Sequence, residues 1–364
     1  MYNRWLITGG CGFIGISLIR KIKDIQPDSV ILVLDNLSSG SKNDLEEVHY
    51  FRQVNPRLSP IINSHLFLSL VVGDIRNPDI CKLCCQDIDI VVHLAANTRV
   101  LPSFENPRLD LEINVSGTFN MLEAARQNNV KRFILASRSP SFDNNDHWAD
   151  GQIFPRPVTP HEASKLACEG YCSAYFRSFG LKTISLCFSN VYGPGSSNKS
   201  SVISQFIRRA TSGRACEIYG DGDQRRDFIF IDDLTDAIIK AALFQEPNPY
   251  PQSLIGSGIT LSCAIDHKPS VFPWGELFHI ASSKEHTINE ATEILKNELM
   301  KYGIAMDIKH TSSRLGDVSG KYADTSKARK VLGWQPKTSF EDGLHKTVAW
   351  FLKNEKKQSL NMIQ

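Results

Sequence analysis

Short apolar runs rich in valine, isoleucine and leucine alternate along this chain with longer stretches whose apolar positions recur at helical spacing. Arg4 to Thr8, Val30 to Leu34, Leu66 to Val72, Ile88 to Leu94, Arg132 to Ala136 and Thr183 to Phe188 predict strands. Between them, Gly15 to Ile25, Leu111 to Asn128 and His161 to Phe179 predict amphipathic helices. Strands that are apolar at nearly every position suit a sheet covered on both faces. The expected fold class is therefore α/β, a doubly wound parallel sheet. Beyond residue 190 the pattern loosens, with turn clusters at Gly193 to Lys199 and Tyr219 to Gln224. Helical periodicity returns at Asp233 to Phe244 and at Asn289 to Tyr302. The stretch 247–274 carries Pro247, Pro249, Pro251, Pro269 and Pro273 and reads as an irregular loop, and the charged tail 353–364 as frayed.

Composition narrows the function classes without choosing one. At 364 residues the chain exceeds what one hydrophobic core usually supports, so two lobes are expected. With Lys+Arg at 41 and Asp+Glu at 39, a net charge of +2 argues against a general binder of nucleic acid or membrane surface. No apolar run approaches the ~20 residues that cross a bilayer. Met1-Tyr2-Asn3-Arg4 leads straight into a strand pattern, with no cleavable signal. Nine scattered cysteines make a disulfide framework unattractive, so a soluble cytoplasmic protein is expected. Cys81, Cys84 and Cys85 cluster, but no second ligand pair follows. They read as small core-facing side chains, and no metal is expected.

The chemistry begins at the first turn. The first strand runs into Thr8-Gly9-Gly10-Cys11-Gly12-Phe13-Ile14-Gly15, and a helical pattern starts there. Gly9 and Gly12 allow a tight turn and close approach of backbone to a pyrophosphate, and Gly15 allows close helix–sheet packing. The helix N-terminus supplies N–H donors. The second strand ends at Asp35, 20 residues after Gly15, where a carboxylate can bind a ribose diol and would repel the extra phosphate of NADP. Strand, turn, helix and acid together point to NAD.

Further motifs make the resemblance specific. They are Gly73-Asp74-Ile75-Arg76, Val91-Val92-His93-Leu94-Ala95-Ala96, Asn114-Val115-Ser116-Gly117-Thr118, Asn190-Val191-Tyr192-Gly193-Pro194-Gly195, Gly220-Asp221-Gly222, Arg226-Asp227-Phe228 and Leu332-Gly333-Trp334-Gln335-Pro336. With them the chain resembles, from about residue 4 to 352, the extended short-chain dehydrogenase/reductases of the NAD-dependent nucleotide-sugar epimerase/dehydratase family, and among these the UDP-glucose 4-epimerase-like members. The resemblance implies a Rossmann-type domain over 1–189, completed by about 229–246 and 275–282. A smaller mixed α/β lobe for the nucleotide sugar would use 190–228 and 283–352. By resemblance Asp74 and Ile75 flank the adenine, Leu94, Ala95 and Ala96 line the dinucleotide cleft, and Phe13, Ile14 and Asn36 join the cofactor set. Asp74 could instead simply cap the next helix. A homodimer formed through the helices Leu111 to Asn128 and His161 to Phe179 is implied by the same analogy.

At the catalytic positions the sequence departs from the family. Its members take a substrate hydroxyl proton with a tyrosine four residues before a lysine, aided by a serine or threonine. Here the lysine is Lys165, but the tyrosine position holds His161, and Arg138 falls on the serine/threonine position. A slip of one residue would bring Ser137 or Ser139 there instead. Spacing of i, i+4 keeps His161 beside Lys165 on a helix face, and neutral imidazole is a competent base. Two objections stand against it. Imidazole reaches roughly 2 Å less far than phenol, and ~1 Å of misplacement can cost ~100-fold. Protonation also creates a cation beside Lys165 and Arg138, where a phenolate would be welcome. The alternatives are an altered epimerase, a catalytically impaired protein that still binds NAD and nucleotide sugar, and a dehydratase or decarboxylase. The absence of an acidic residue in Ser139-Pro140-Ser141 favours 4-epimerisation.

For the substrate, the resemblance puts Asn190, Arg226 and Arg314 on the diphosphate of a UDP-linked sugar and Asp317 on its ribose. A guanidinium fork matches phosphate oxygens, although Arg226 and Arg314 could equally form surface pairs with Asp227 and Asp317. Val202 and Tyr219 are candidates for the base, or for ordinary core packing.

Overall fold

The computed structural model describes residues 3–57, 67–98, 100–138, 157–197, 199–246, 273–312 and 323–361, with side chains as far as 354. Its strands begin with β1 (Arg4–Thr8), β2 (Val30–Asp35), β3 (Arg52–Gln53), β4 (Leu68–Val72), β5 (Ile90–His93), β6 (Arg132–Arg138) and β7 (Lys182–Phe188). They continue with β8 (Asn190–Tyr192), β9 (Cys216–Tyr219), β10 (Arg225–Phe230), β11 (Glu276–Ile280), β12 (Glu285–Thr287) and β13 (Ile308–Thr311). The helices of the first half are α1 (Phe13–Ile25), α2 (Lys42–Glu46), α3 (Pro78–Cys84), α4 (Val100–Glu105), α5 (Pro107–Leu111), α6 (Gly117–Gln127) and α7 (Pro160–Phe179). Those of the second are α8 (Val202–Thr211), α9 (Ile231–Ala242), α10 (Ile288–Met300), α11 (Ser326–Leu332) and α12 (Phe340–Asn361).

Eight strands form one sheet in the order β11-β7-β6-β5-β1-β2-β4-β3, each neighbour parallel. Strand order reverses between β5 and β1. In an open α/β sheet that is where a crevice opens beyond the strand ends and ligands bind. Alternate residues feed two cores. Trp5, Ile7, Val33, Val92 and Ile134 pack on one face with α1 and α9, whereas Leu6, Leu32, Val91, Phe133 and Leu135 pack on the other with Met121, Leu122 and Cys172. Cys81, Cys84 and Cys85 are buried in that second core, as their spacing suggests, and their thiols are pushed up by burial.

The second half builds two small sheets, β12-β10-β8 and β13-β9. Here the loosened pattern concealed regular elements: α8 and several short strands lie where only turns stood out. Helix α12 reaches Asn361, so the expected frayed tail is helical over most of its length. Its early turns are anchored by Phe340, Leu344, Val348 and Phe351 in the core. Of the proline-rich stretch, 247–272 lies outside the described residues, and its end is fixed by Trp274, buried edge-on against Phe244.

Candidate active site

The glycine turn packs so tightly that it excludes side chains. Gly9 has φ +67°, and a Cβ there would sit 2.8 Å from the Ala95 nitrogen, so this crossing of the β1 and β5 ends excludes any side chain. At Gly15 a Cβ would fall 2.5 Å from Gly10 Cα, so the third glycine lets α1 pack against the glycine turn itself. Helix α1 starts after Gly12 with no side-chain cap, so its first-turn N–H groups have no partner within the helix and can donate to an anion. Asp35, at the end of β2 and 8% exposed, accepts from the Cys11 and Leu37 main chains at 2.9 and 2.8 Å. A carboxylate has about four acceptor sites, so capacity for a ribose diol remains. Burial raises the Asp35 pKa. Below the turn, Thr8 Oγ1 accepts from Ala95 N at 3.2 Å and contacts His93 Nδ1 at 2.7 Å, while His93 Nε2 meets Thr118 Oγ1 at 3.1 Å. Burial and then Lys165 push His93 down to about 3, so this strut is neutral. Cys11 is pushed up to about 12 by burial and then Asp35, leaving its thiol unreactive.

Further along the cleft, Asp74 does not cap α3; Asn77 does, accepting from Asp79 N and Ile80 N. The Asp74 carboxylate instead receives the Arg76 main chain and guanidinium, and Asn36 Nδ2 at 3.1 Å. Arg76 holds it down at about 2. Ile75 is buried against Gly117. Residues with these structures fit a dinucleotide.

The start of α7 carries the catalytic candidates. Thr159 caps it, its Oγ1 accepting from Glu162 N at 3.1 Å, and Pro160 stands at the first helical position. His161 and Lys165 follow on consecutive turns, both buried, with Lys165 Nζ donating to the Ala136 carbonyl at 3.2 Å. His161 is pushed down to about 4, first by burial, then by Lys165, with Arg138 adding and Asp110 opposing. A place in the first turn of a helix also disfavours a cation. His161 is thus a neutral imidazole at physiological pH.

Asp110 is the residue that sequence reasoning missed. Pro107–Gln127 is one helical stretch, α5 and α6 joined by a π-helical turn, Glu112–Ser116. Such turns recur at functional sites because they re-aim side chains. Asp110 is fully buried just before it, with Oδ1 3.5 Å from His161 Nδ1. Asn114 Nδ2 donates to Oδ1 at 3.0 Å, and Asn114 is itself pinned to both main-chain groups of Asn97. Asp110 Oδ2 and His161 Nδ1 are both sealed from solvent without a hydrogen-bond partner. Each such orphan typically costs ~1–3 kcal/mol. Asp110 and Asn114 stand at i, i+4, but among the many polar positions of 107–127 nothing in the sequence singles them out.

At the end of β6, Ser137 donates to Glu169 on α7, so its hydroxyl is engaged toward that helix. The neighbouring Arg138 lies within electrostatic reach of Glu162 and Arg226, and burial lowers its pKa. Ser139 lies outside the described residues, as do Arg314 and Asp317. Asn190 donates to the Asp227 carbonyl at 3.2 Å. The Asp227 carboxylate accepts from Ser189, Ser282 and Ser283. Val202 opens α8 and packs against the core, while Tyr219 hydrogen-bonds Glu217 at 3.3 Å. The structure therefore places His161, Lys165 and Arg138 within electrostatic reach of one another, and Arg226 within reach of Arg138. Among the described residues no His/Cys/Asp/Glu group could hold a metal ion, and no helix is long and apolar enough to cross a membrane.

Comparison with known proteins agrees with this architecture. The chain is 30% identical over 356 residues to the "Putative UDP-glucose 4-epimerase" of Methanocaldococcus jannaschii, covering 96% of this chain and 99% of that one. It is 28% identical over 353 residues to the UDP-glucose 4-epimerase of Mycolicibacterium smegmatis, covering 96% and 98%. The crystal structure of Thermotoga maritima UDP-glucose 4-epimerase with UDP-glucose matches at a TM-score of 0.77 and 27% identity, covering 97% of this chain and 99% of that one. Residues 5–253 match the profile of the NAD dependent epimerase/dehydratase family, and the chain belongs to that family.

Proposed function

We propose that this protein is a UDP-sugar 4-epimerase that has replaced the family's tyrosine base with His161. The observation that carries the reading is a buried imidazole, held down by burial and Lys165, one helical turn from that lysine. NAD, when bound, supplies a reversible hydride acceptor, so the reaction needs no net reductant. His161 takes the proton of the sugar C4 hydroxyl and returns it after the sugar has turned over. Lys165 orients the nicotinamide ribose, and Asp35 accepts from the adenosine ribose. Arg226, with Asn190 and the expected Arg314, holds the diphosphate, and Arg138 adds positive charge on the sugar side. The similarity to the Mycolicibacterium and Thermotoga epimerases supports the reaction class.

The protein loaded with NAD and offered a panel of UDP-hexoses and UDP-N-acetylhexosamines is expected to interconvert one sugar with its C4 epimer, read by chromatography, with no accumulation of NADH. Folded, NAD-loaded protein inert toward the whole panel overturns the reading. A second reading, a protein that binds both ligands without turnover, is favoured by one observation: Lys165 and Arg138 both oppose a charge on His161. The double variant His161→Tyr/Arg138→Ser separates the two. A gain of activity marks a decayed site, and loss of existing activity marks a re-invented one. A homodimer suits the exposed Leu111, Phe119, Tyr171 and Phe179 on the helices expected to pair, and light scattering tests it.

A further inference from the structure

Replacing tyrosine by histidine reverses the charge of the proton-loaded and proton-free states. Tyrosine gives up its proton to become an anion, which a neighbouring lysine stabilises. Histidine accepts a proton to become a cation, which Lys165 and Arg138 oppose. A site that keeps Lys165 and uses histidine therefore needs a compensating negative charge on the far side of the ring. One buried carboxylate occupies that place. Asp110 Oδ1 lies 3.5 Å from His161 Nδ1, Asp110 Oδ2 and His161 Nδ1 each lack a hydrogen-bond partner, and Asn114 orients the carboxylate from behind. The Asn114 side chain is gripped at both ends by the Asn97 main chain, which fixes the direction from which Asp110 approaches. A separation of 3.5 Å is long for a hydrogen bond, but catalytic hydrogen bonds commonly tighten only when the ligand arrives.

We infer that Asp110 is the positioning residue of a carboxylate–imidazole pair that holds the His161 proton on Nδ1, so that Nε2 presents the lone pair to the substrate hydroxyl. The inference rests on the proposed role of His161 and deepens it. In the forward step the hydroxyl O–H bond breaks and an N–H bond forms at Nε2. The electron pair left on oxygen becomes the second bond of the C4 carbonyl, and NAD, when bound, would supply the acceptor for the C4 hydride. The Asp110 carboxylate faces the transient imidazolium from the Nδ1 side. Of the charged groups acting on the ring among the described residues, Lys165 on α7 and Arg138 from β6 disfavour that cation, and Asp110 from α5 favours it.

The test reads the tautomer directly. Protein labelled with 15N-histidine gives two-bond proton–nitrogen correlations at neutral pH, and the His161 pattern is assigned by its loss in His161→Gln. The wild type is expected to show the Nδ1–H tautomer. Asp110→Asn, which keeps the shape and removes the charge, is expected to lose that preference and to drop kcat roughly 10²–10⁴-fold, with KM for the UDP-sugar little changed. Asp110→Glu is expected to keep the tautomer and recover part of kcat. A wild type carrying the proton on Nε2, or an Asp110→Asn protein with the wild-type tautomer, overturns the inference. Should Asp110→Asn fail to fold, Asp110→Glu decides by the same two readings, with an Nε2–H pattern counting against. Because the tautomer is visible without turnover, wild-type inactivity on every UDP-sugar would sink the proposed function while leaving this pairing to be judged separately.

Discussion

At Gly9 two constraints meet in one residue. Its φ of +67° is a conformation that side chains resist, and its missing Cβ leaves the gap through which the β1 and β5 ends cross, 2.8 Å from Ala95 N. Left-handed backbone alone costs a non-glycine residue roughly 1–2 kcal/mol, and the contact with main-chain atoms leaves no flexible neighbour to yield. Gly9→Ala is therefore expected to shift the Leu94-Ala95 strand end and weaken NAD binding at least 10-fold, about 1.4 kcal/mol, as read by calorimetry. Wild-type affinity in that variant would remove the glycine turn from the binding site. Gly9 was legible in the sequence because a tight strand-to-helix turn demands a residue without a side chain, and the glycines around it mark that turn within eight consecutive positions. Asp110 was not, because its partner His161 sits in another helix and nothing in the linear order joins them.

At the level of the element, α7 sets the position of the whole catalytic pair. Its start is determined by Thr159, whose hydroxyl closes the Glu162 N–H, and by Val158 N donating back to the Glu162 carboxylate at 3.0 Å. Thr159→Ala is expected to cost about 1 kcal/mol in urea unfolding and to lower kcat, since His161 lies in the turn that would fray, with Thr159→Ser restoring both. Unchanged stability and turnover in Thr159→Ala would show that Pro160 and packing alone define the helix start. Long helices and central strands were legible in outline because burial on both faces writes a continuous apolar run. Their ends were less so: β6 continues through Ser137 and Arg138, which pair with Cys187 and Phe188 although their side chains carry no strand signal. The short strands β8, β9, β12 and β13 were illegible for a related reason. Each is three or four residues long and is held by a partner distant in sequence, so local pattern has too few positions to work with.

Over the whole molecule, the near-neutral sum of +2 hides neutral histidines buried among charged groups. His161 is 1% exposed and His93 2%, and burial, as the first cause for each, holds them down at about 4 and about 3. The unfolded chain protonates both below about pH 6.5, while the folded state does not. Between that pH and the folded values the unfolded state binds more protons, so stability is full above pH 6.5 and falls as the pH drops. Each fully buried imidazole contributes up to about 1.4 kcal/mol per pH unit across its window. Buried acids act in the opposite sense: Asp35, Asp227 and Glu169 are raised by desolvation and take up protons in the folded state as the pH falls. The absolute slope therefore mixes several groups, but the difference between two proteins isolates one. Urea unfolding of the wild type and of His161→Gln, compared at intervals from about pH 6.5 to about 4.5, is expected to give a shallower pH dependence for the variant by up to about 1.4 kcal/mol per unit. Parallel curves would mean that His161 gains a proton in the folded state as readily as in the unfolded chain. Asp110 would then offset burial and Lys165 even without a ligand, and His161 would keep the pKa of about 6.5 of an unperturbed imidazole.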